Sequence, residues 1–127
     1  MEQRNIAFIG AGNMARSLIS GLINAGFPGS KINATDIDAL KAHELGKEFG
    51  ITGSNDNVTA VKNADVIVLA VKPQFMAEML AQLAPVIGDF SNKLFISIAA
   101  GVSVARLQGL LNGHQNIVRC MPNTPSL

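Results

Sequence analysis

The sequence predicts a doubly wound α/β fold, in which helices cover both faces of a parallel sheet to give three α/β/α layers. Short apolar runs alternate with segments of helical periodicity along the chain, which is typical of parallel strands joined by right-handed helical crossovers. The first strand and the first helix, within residues 5–26, are joined by a turn that carries Gly10, Gly12 and Ala15. Together these observations predict a Rossmann-type sheet.

The first strand–helix unit is the clearest signal in the chain. Residues 6–9 form an uninterrupted apolar run, and from Met14 onward the apolar residues fall on one helical face. Gly10 permits a sharp bend, Gly12 lets backbone approach a ligand, and Ala15 keeps the helix close to the strand. The turn therefore predicts a site for a nucleotide pyrophosphate at the positive end of the helix dipole, with an ordinary strand-to-helix turn as the alternative.

The rest of the chain continues the alternation. Gly50 fits a left-handed helix end, Pro73 the first turn of a helix, and Ser103 a helix N-cap. The further predicted strands lie at residues 31–35, 51–52, 65–71, 93–101 with its small-residue turn, and 116–121, and the further helices at 38–49, 58–61, 73–86 and 104–111.

Size and composition predict one domain that needs neither disulfide nor metal. The chain has 127 residues, 48% of them hydrophobic, which is enough to bury a core. Ten basic and nine acidic residues give a net charge of +1, and with no Trp or Tyr and no basic run, a nucleic-acid surface is not supported. Because no apolar run approaches the roughly 20 residues of a membrane span and no signal-like segment begins the chain, we expect no membrane association and a cytoplasmic protein.

Cysteine and histidine provide no evidence for metal chemistry. The single cysteine, Cys120, lies in an apolar strand-like run, and we expect it to be buried in the core. His43 and His114 share no ligand spacing with a cysteine or with a carboxylate cluster. We therefore predict no metal site.

Five segments follow predicted strands and are expected to line one crevice. In doubly wound sheets, ligands bind beyond the carboxyl ends of the strands, at the point where the strand order reverses. The segments are GAGNMA (10–15), Thr35 with Asp36, AVKP (70–73), IAAG (98–101) and MPNTP (121–125). Their small residues leave room for a flat, extended ligand. For AVKP and IAAG taken singly, a tight turn without a ligand role is the alternative.

Asp36 bears on which nicotinamide cofactor binds. It lies about 20 residues beyond the glycine turn, at the end of the second predicted strand, where a carboxylate hydrogen-bonds the ribose 2′-hydroxyl and repels a 2′-phosphate. This favours NADH, or use of both NADH and NADPH, over strict use of NADPH. The alternative is that Asp36 caps the following helix, a role that Asp38 could equally take.

Four motifs, in this order, resemble pyrroline-5-carboxylate reductase, the family that makes proline in its last biosynthetic step. They are FIGAGNMA (8–15), AVKP (70–73), SIAAG (97–101) and RCMPNTP (119–125). The last motif is the specific one, since many dehydrogenases share the glycine turn. The resemblance covers essentially the whole chain.

The resemblance implies a role for each motif in holding a nicotinamide dinucleotide. Asn57 would contact the adenosine side or, equally, cap a helix, and Lys72 is more often a solvated side chain than a phosphate ligand. The Asn123 amide could bond the nicotinamide carboxamide. The implied residues are Ile9, Gly10, Ala11, Gly12, Asn13 and Met14 at the pyrophosphate, Ala70, Val71, Lys72 and Pro73 at the ribose and diphosphate edge, and Ile98, Ala99, Ala100, Met121, Pro122 and Asn123 at the nicotinamide.

The resemblance also implies the reaction. Hydride passes from NADH or NADPH to the C=N carbon of 1-pyrroline-5-carboxylate and gives L-proline, so that neither a metal nor a covalent nucleophile is required. Residues 1–127 would form the NAD(P)-binding domain. Family members are similar in having a helical C-terminal domain that dimerises and supplies much of the imino-acid site, and this chain stops before it. We therefore expect the 127 residues to be inactive alone, with catalytic residues unassigned, and a longer form to be a homo-oligomer.

Two other functions remain open on the sequence. One is a related 3-hydroxyacid-type dehydrogenase, which would share the glycine turn but not SIAAG or the ending MPNTP. The other is a non-catalytic NAD(P)-sensing or regulatory domain, which would bind the dinucleotide and turn nothing over.

Overall fold

The computed structural model describes residues 4–85, 92–99, 101–111, 113–114 and 116–120. The strands are β1 (Ile6–Ile9), β2 (Ile32–Thr35), β3 (Thr52–Ser54), β4 (Val66–Leu69), β5 (Leu94–Ser97) and β6 (Ile117–Arg119). The α-helices are α1 (Asn13–Asn24), α2 (Ala39–Phe49), α3 (Asn57–Lys62), α4 (Pro73–Leu83) and α5 (Val104–Leu110), and a 3₁₀ turn (Gly29–Lys31) precedes β2.

The strands form one parallel sheet in the order β3-β2-β1-β4-β5-β6. The chain moves outward from β1 to β3, returns to the other side of β1, and then moves outward again from β4 to β6. The strand order therefore reverses between β1 and β4. The last residues of these two strands, Ile9 and Leu69, are register partners, so their carboxyl ends are level. This topology confirms the predicted doubly wound Rossmann-type fold.

Alternating side chains of the strands pack into two separate hydrophobic cores, one on each face of the sheet. Phe8 faces the layer of α1 and α2, where it shares a buried cluster with Ile19 and Leu45. Ile9 faces the layer of α3, α4 and α5, where the cluster includes Leu80. Each large side chain buried in this way contributes about 1.5–3 kcal/mol. A shift of one residue in strand register would exchange the two sets, so the apolar pattern fixes the register.

The predicted elements are all present, with bounds that differ by a few residues. The predicted strand at 31–35 begins one residue later in the structure, because Lys31 belongs to the 3₁₀ turn. The predicted strand at 65–71 is shorter, because the apolar run continues into the turn after Leu69. The helix-end prediction at Gly50 is confirmed, with φ 67°. The Ser103 cap is confirmed as well, since its side chain accepts a hydrogen bond from the Arg106 amide at 3.1 Å. Pro73 is the first residue of α4, as predicted.

The prediction that Cys120 is buried is wrong. Cys120 is exposed, because it follows an edge strand that contributes only its first residue, Ile117, to the core. The next residue of that strand, Val118, is 50% exposed. The apolar run around Cys120 therefore reflects strand propensity, and only its first position is packed.

The described residues contain neither a membrane-spanning helix nor a cluster of metal ligands. Across the described ranges, no helix combines the length and the apolar character needed to cross a membrane. Over the same residues, no three His, Cys, Asp or Glu side chains are grouped so that they could hold a metal ion. His114 instead packs its ring edge-on against Phe95, and its Nε2 lies 2.9 Å from the Lys93 carbonyl oxygen.

Candidate cofactor-binding site

A cleft with a cavity volume of about 280 Å³ opens at the carboxyl ends of β1, β2 and β4, where the strand order reverses. Residues from the turn after each of these strands form its walls, together with one face of α4 and the start of α3. The lining residues are Ile9, Gly10, Gly12, Thr35, Asp36, Ile37, Lys41, Asn57, Ala70, Val71, Lys72, Phe75, Glu78, Met79 and Gln82.

Two glycines shape the turn after β1 in different ways. Gly10 has φ 108°, and a Cβ atom at this position would lie 2.8 Å from the backbone carbon and oxygen of Ala70. The turn after β1 therefore packs directly on the turn after β4, and only glycine fits. A Cβ atom at Gly12 would meet no heavy atom within 4 Å, so the backbone there faces open space in the cleft wall.

The end of β2 holds the first two amides of the glycine turn. The Gly10 amide donates to the Thr35 carbonyl oxygen at 2.8 Å. The Ala11 amide donates to Oδ2 of Asp36 at 2.9 Å. Because both amides have partners within the protein, a bound anion would meet the backbone from Gly12 onward. The predicted pyrophosphate segment, residues 9–14, is thereby limited to residues 12–14.

Helix α1 begins without a side-chain cap. Its N-cap residue is Gly12, and no side chain accepts a hydrogen bond from the first turn. The first amides of a helix have no acceptor within it, and they form the positive end of the helix dipole. In contrast, the N-cap side chains Asp38, Asp56 and Ser103 accept hydrogen bonds at the starts of α2, α3 and α5. The start of α1 is therefore suited to bind an anion.

Asp36 is held in place by backbone amides on both sides. Its Oδ1 accepts a hydrogen bond from the Asp38 amide at 3.0 Å, while Oδ2 accepts from Ala11. Asp38, and not Asp36, is the N-cap of α2, since its side chain accepts from the amides of Leu40 and Lys41. The alternative prediction that Asp36 caps α2 is therefore wrong, because the helix starts three residues later. The half-buried Asp36 instead places a fixed carboxylate in the cleft wall.

A chain of side-chain hydrogen bonds crosses the cleft from β2 to α4. The buried Thr35 hydroxyl donates to Oδ1 of Asn57 at 2.5 Å, and Nδ2 of Asn57 donates to Oε1 of Gln82 at 3.0 Å. The alternative prediction that Asn57 caps a helix is wrong, because Asp56 is the N-cap of α3 and Asn57 is its first residue. Asn57 therefore connects three elements at the cleft.

Asp56 carries the one resolved pKa shift among the described residues. The Thr59 hydroxyl donates to its Oδ2 at 2.7 Å, and the Thr59 amide donates to its Oδ1 at 3.1 Å. These bonds favour the charged carboxylate, the hydroxyl contributing most, and they hold the pKa of Asp56 below its ordinary value.

The predicted cofactor-binding residues divide into four groups by location. Nine line the cleft: Ile9, Gly10, Gly12, Thr35, Asp36, Asn57, Ala70, Val71 and Lys72. Ala11 and Asn13 line a smaller neighbouring cavity, whereas Met14, Pro73, Ile98 and Ala99 line neither of these two cavities. Ala100, Met121, Pro122 and Asn123 lie outside the described residues.

Six cleft residues were not predicted from the sequence, namely Ile37, Lys41, Phe75, Glu78, Met79 and Gln82. The four on α4 could have been found, because they continue from Lys72 at steps of three or four residues and so share one helical face. Ile37 and Lys41 had no such signal. Their position depends on how α2 packs after β2.

The chain matches a known protein family and named relatives. Residues 5–101 match the model of the family described as NADP oxidoreductase, coenzyme F420-dependent. A pyrroline-5-carboxylate reductase from Vibrio alginolyticus is 49% identical over 126 residues, which are 99% of this chain and 46% of that protein. The relatives favour the reductase interpretation over the sensing domain and the hydroxyacid dehydrogenase.

Two solved structures are similar in fold and sequence. The structure of a pyrroline-5-carboxylate reductase from Coxiella burnetii has a TM-score of 0.90 and 37% identity, covering 98% of this chain and 46% of that one. The structure of Plasmodium falciparum pyrroline carboxylate reductase with NADP bound has a TM-score of 0.80 and 30% identity, covering 98% and 44%.

The chain spans about half the length of the curated relatives it matches. The family model covers most of the chain, including the glycine turn and every residue that lines the cleft. The chain belongs to the family described as NADP oxidoreductase, coenzyme F420-dependent, and is similar along its length to pyrroline-5-carboxylate reductases.

Proposed function

We propose that this chain is the dinucleotide-binding part of a pyrroline-5-carboxylate reductase, which transfers hydride from NADPH or NADH to the C=N bond of 1-pyrroline-5-carboxylate and so forms L-proline. The observation that carries the proposal is the uncapped start of α1 beside the open backbone of Gly12, in a cleft at the point where the strand order reverses. The names of the relatives supply the reaction.

The diphosphate binds the backbone at the start of α1. The amides of Gly10 and Ala11 are used within the protein, so the donors are those of Gly12, Asn13 and the residues after them. Two further observations support this role. Gly12 leaves space for close approach, and Lys72 adds a positive charge across the cleft, at the turn after β4.

The adenosine lies between the end of β2 and α4. Asp36 accepts hydrogen bonds from the ribose hydroxyls, and Asn57 has an amide hydrogen left after its bond to Gln82. Ile37 and Phe75, which are 84% and 44% exposed, both line the cleft and offer apolar surface to a flat base. A base bound there would cover both exposed side chains.

The nicotinamide lies toward the turn after β5 and the segment after β6. This part of the proposal rests on the family motifs at Ile98, Ala99, Ala100, Met121, Pro122 and Asn123, with the Asn123 amide bonding the carboxamide. The residues at 99 and 100 are alanines, whose small side chains favour close approach of the ring. The Cys120 amide donates to the Ser97 carbonyl oxygen at 2.8 Å, so the carboxyl ends of β5 and β6 lie side by side.

The protein's contribution to the reaction is positional. The reduced nicotinamide supplies the hydride, and protonation of the imine makes its carbon electrophilic. The chain holds the dinucleotide at its adenosine, its diphosphate and its nicotinamide, which removes most of its freedom before the substrate meets it. We infer that the imino-acid site and the surface for oligomerisation lie outside the residues of this chain, and we place the enzyme in the cytoplasm.

The test is a calorimetric titration of the 127-residue chain with NADPH and with NADH. We expect one-site binding of at least one of them, because the diphosphate and adenosine sites lie within the chain. A folded sample that binds neither would overturn the proposal. A second assay measures formation of proline by the chain extended to the length of its relatives. If that protein binds the dinucleotide but forms no proline, only the proposed substrate is overturned.

A further inference from the structure

The corner where β2 leads into α2 places one carboxylate in the cleft wall. Asp36 is the first residue after β2, and two backbone amides fix the orientation of its carboxylate. A fixed carboxylate at this position favours ribose hydroxyls and repels a phosphate on the same ribose. The family description, however, names NADP, which carries that phosphate. A cationic partner close to Asp36 would remove the conflict.

Lys41 lies at the same corner, in the first turn of α2. It lines the main cleft and also a second cavity of about 170 Å³, formed between α1 and α2. Gly12 and Lys41 are the two residues that border both cavities. A phosphate on the adenosine ribose therefore has a second, polar cavity to enter beside the main cleft, and Lys41 lines both.

The other basic side chains near this corner are paired with a carboxylate or follow a strand that is not adjacent to β2. Arg16, which borders the second cavity, pairs through both terminal guanidinium nitrogens with the Glu48 carboxylate, and its guanidinium lies 5.5 Å from the centre of the Phe49 ring. Lys72 follows β4, two strands away from β2. Within the part of the chain that the structure describes, the Lys41 ammonium has neither an ion pair nor a hydrogen bond.

We propose that Lys41 is a specificity-determining residue that binds the 2′-phosphate of NADP(H) and offsets the repulsion from Asp36. The proposal rests on the dinucleotide-binding function proposed above. Asp36 and Lys41 then act in opposite directions, and the cleft accepts both NADH and NADPH. Glu44, which also borders the second cavity three residues after Lys41, opposes the phosphate and limits the preference for NADPH.

The test compares Lys41→Gln with Lys47→Gln, using NADPH and NADH as calorimetric ligands. Lys47 is a matched control, because it is an exposed lysine on the same helix that lines neither cavity. We expect Lys41→Gln to weaken NADPH binding about fivefold to tenfold and NADH binding less than about twofold, as for a partly exposed charge pair. Lys41→Arg should retain the preference of the wild type, and Glu44→Gln should tighten NADPH binding alone.

The outcomes separate the two proposals. If the wild type binds neither dinucleotide, the proposed function fails and the role of Lys41 fails with it. If the wild type binds both, and Lys41→Gln leaves the ratio of the two dissociation constants unchanged, only the role of Lys41 is overturned. Thermal unfolding of each variant shows whether a change in binding reflects loss of fold. Higher salt should reduce the Lys41 effect on NADPH, since the pair is exposed to solvent.

Discussion

The helices of this domain differ in how they begin. Helices α2, α3 and α5 start with an Asp or Ser side chain that accepts hydrogen bonds from the first turn. Helices α1 and α4 start without one, at Gly12 and Lys72. Both uncapped helices border the cleft and follow β1 and β4, between which the strand order reverses. Side chains thus occupy the first-turn amides of α2, α3 and α5, whereas amides are left without a side-chain cap at the start of α1, where an anion is proposed to bind.

The largest effect is expected from a variant that disrupts the packing of the turn after β1 on the turn after β4. Gly10→Ala would place a Cβ atom 2.8 Å from the Ala70 backbone at φ 108°, so we expect it to lower the free energy of unfolding by about 3 kcal/mol. Gly21→Ala is the control, since Gly21 lies within α1 with no atom in reach of a Cβ, and we expect it to raise stability by about 0.5–1 kcal/mol. Urea unfolding measures both. Equal stability of the two variants would contradict the close packing.

Gly12→Asp converts an uncapped helix into a capped one. Gly12 has φ −82° and ψ −169°, and a Cβ atom there meets nothing within 4 Å, so the aspartate fits and caps α1. We expect a gain of a few tenths of a kcal/mol in stability, about 0.3, together with roughly tenfold to hundredfold weaker dinucleotide binding. Calorimetry and thermal unfolding measure the two changes. Gly12→Asn, which caps without charge, should weaken binding less; unaltered affinity in the Asp variant would rule out an anion at α1.

Ser103→Ala removes a cap from a helix outside the cleft. The Ser103 side chain accepts from the Arg106 amide, and losing that bond should cost about 1 kcal/mol of stability. We expect the affinity for NADH and NADPH to stay the same, because α5 does not line the cleft. Denaturant unfolding and a binding titration on the same sample make the comparison. A loss of affinity without loss of stability would mean that α5 contributes to the site.

Asp36→Asn tests the residue that holds the uncapped turn. Removing the charge should improve NADPH binding relative to NADH by about fivefold, while the amide oxygen retains one of the two backbone hydrogen bonds. Asp38→Asn is a matched control, since asparagine also caps a helix and the lost charge lies outside the cleft lining. The ratio of the two dissociation constants is the measurement, and an unchanged ratio would reject the assignment of Asp36 to the ribose.

The smallest expected effect concerns pH and the cap of α3. Because hydrogen bonds from Thr59 lower the pKa of Asp56 in the folded state, its stabilising contribution is complete above the ordinary pKa of an unfolded aspartate. The contribution is lost as the pH falls through the lower folded pKa. Thermal midpoints measured from pH 5 down to pH 2 should therefore fall less steeply for Asp56→Asn than for the wild type. Parallel profiles would contradict this assignment.

Much of the fold could be predicted from local pattern. The bounds of β1, residues 6–9, were predicted as they are found, because a short apolar run before a glycine turn has one interpretation. The strand near Ile51 was placed too early, since β3 is an edge strand with little apolar signal. Cys120 was predicted to be buried and is exposed, since burial along an edge strand depends on what covers it.

The candidate site was predicted in outline and not in its hydrogen bonds. Residue type and position indicated that the carboxyl ends of the strands would meet, and nine predicted residues line the cleft. The bonds from Ala11 to Asp36 and from Thr35 through Asn57 to Gln82 join residues 22 to 25 positions apart. No local pattern encodes such pairs, because they depend on how separate elements pack.

The sequence by itself determined the alternation of strands and helices, the glycine turn and the residues that follow each strand, since strand and helix periods and glycine conformation are local properties. Only the tertiary structure decided which backbone amides remain free. Strand pairing brings Thr35 and Asp36 against the turn after β1, where they take the amides of Gly10 and Ala11. The same packing brings Lys41 and the polar face of α4 to the cleft, because contacts between distant segments arise only when the sheet assembles.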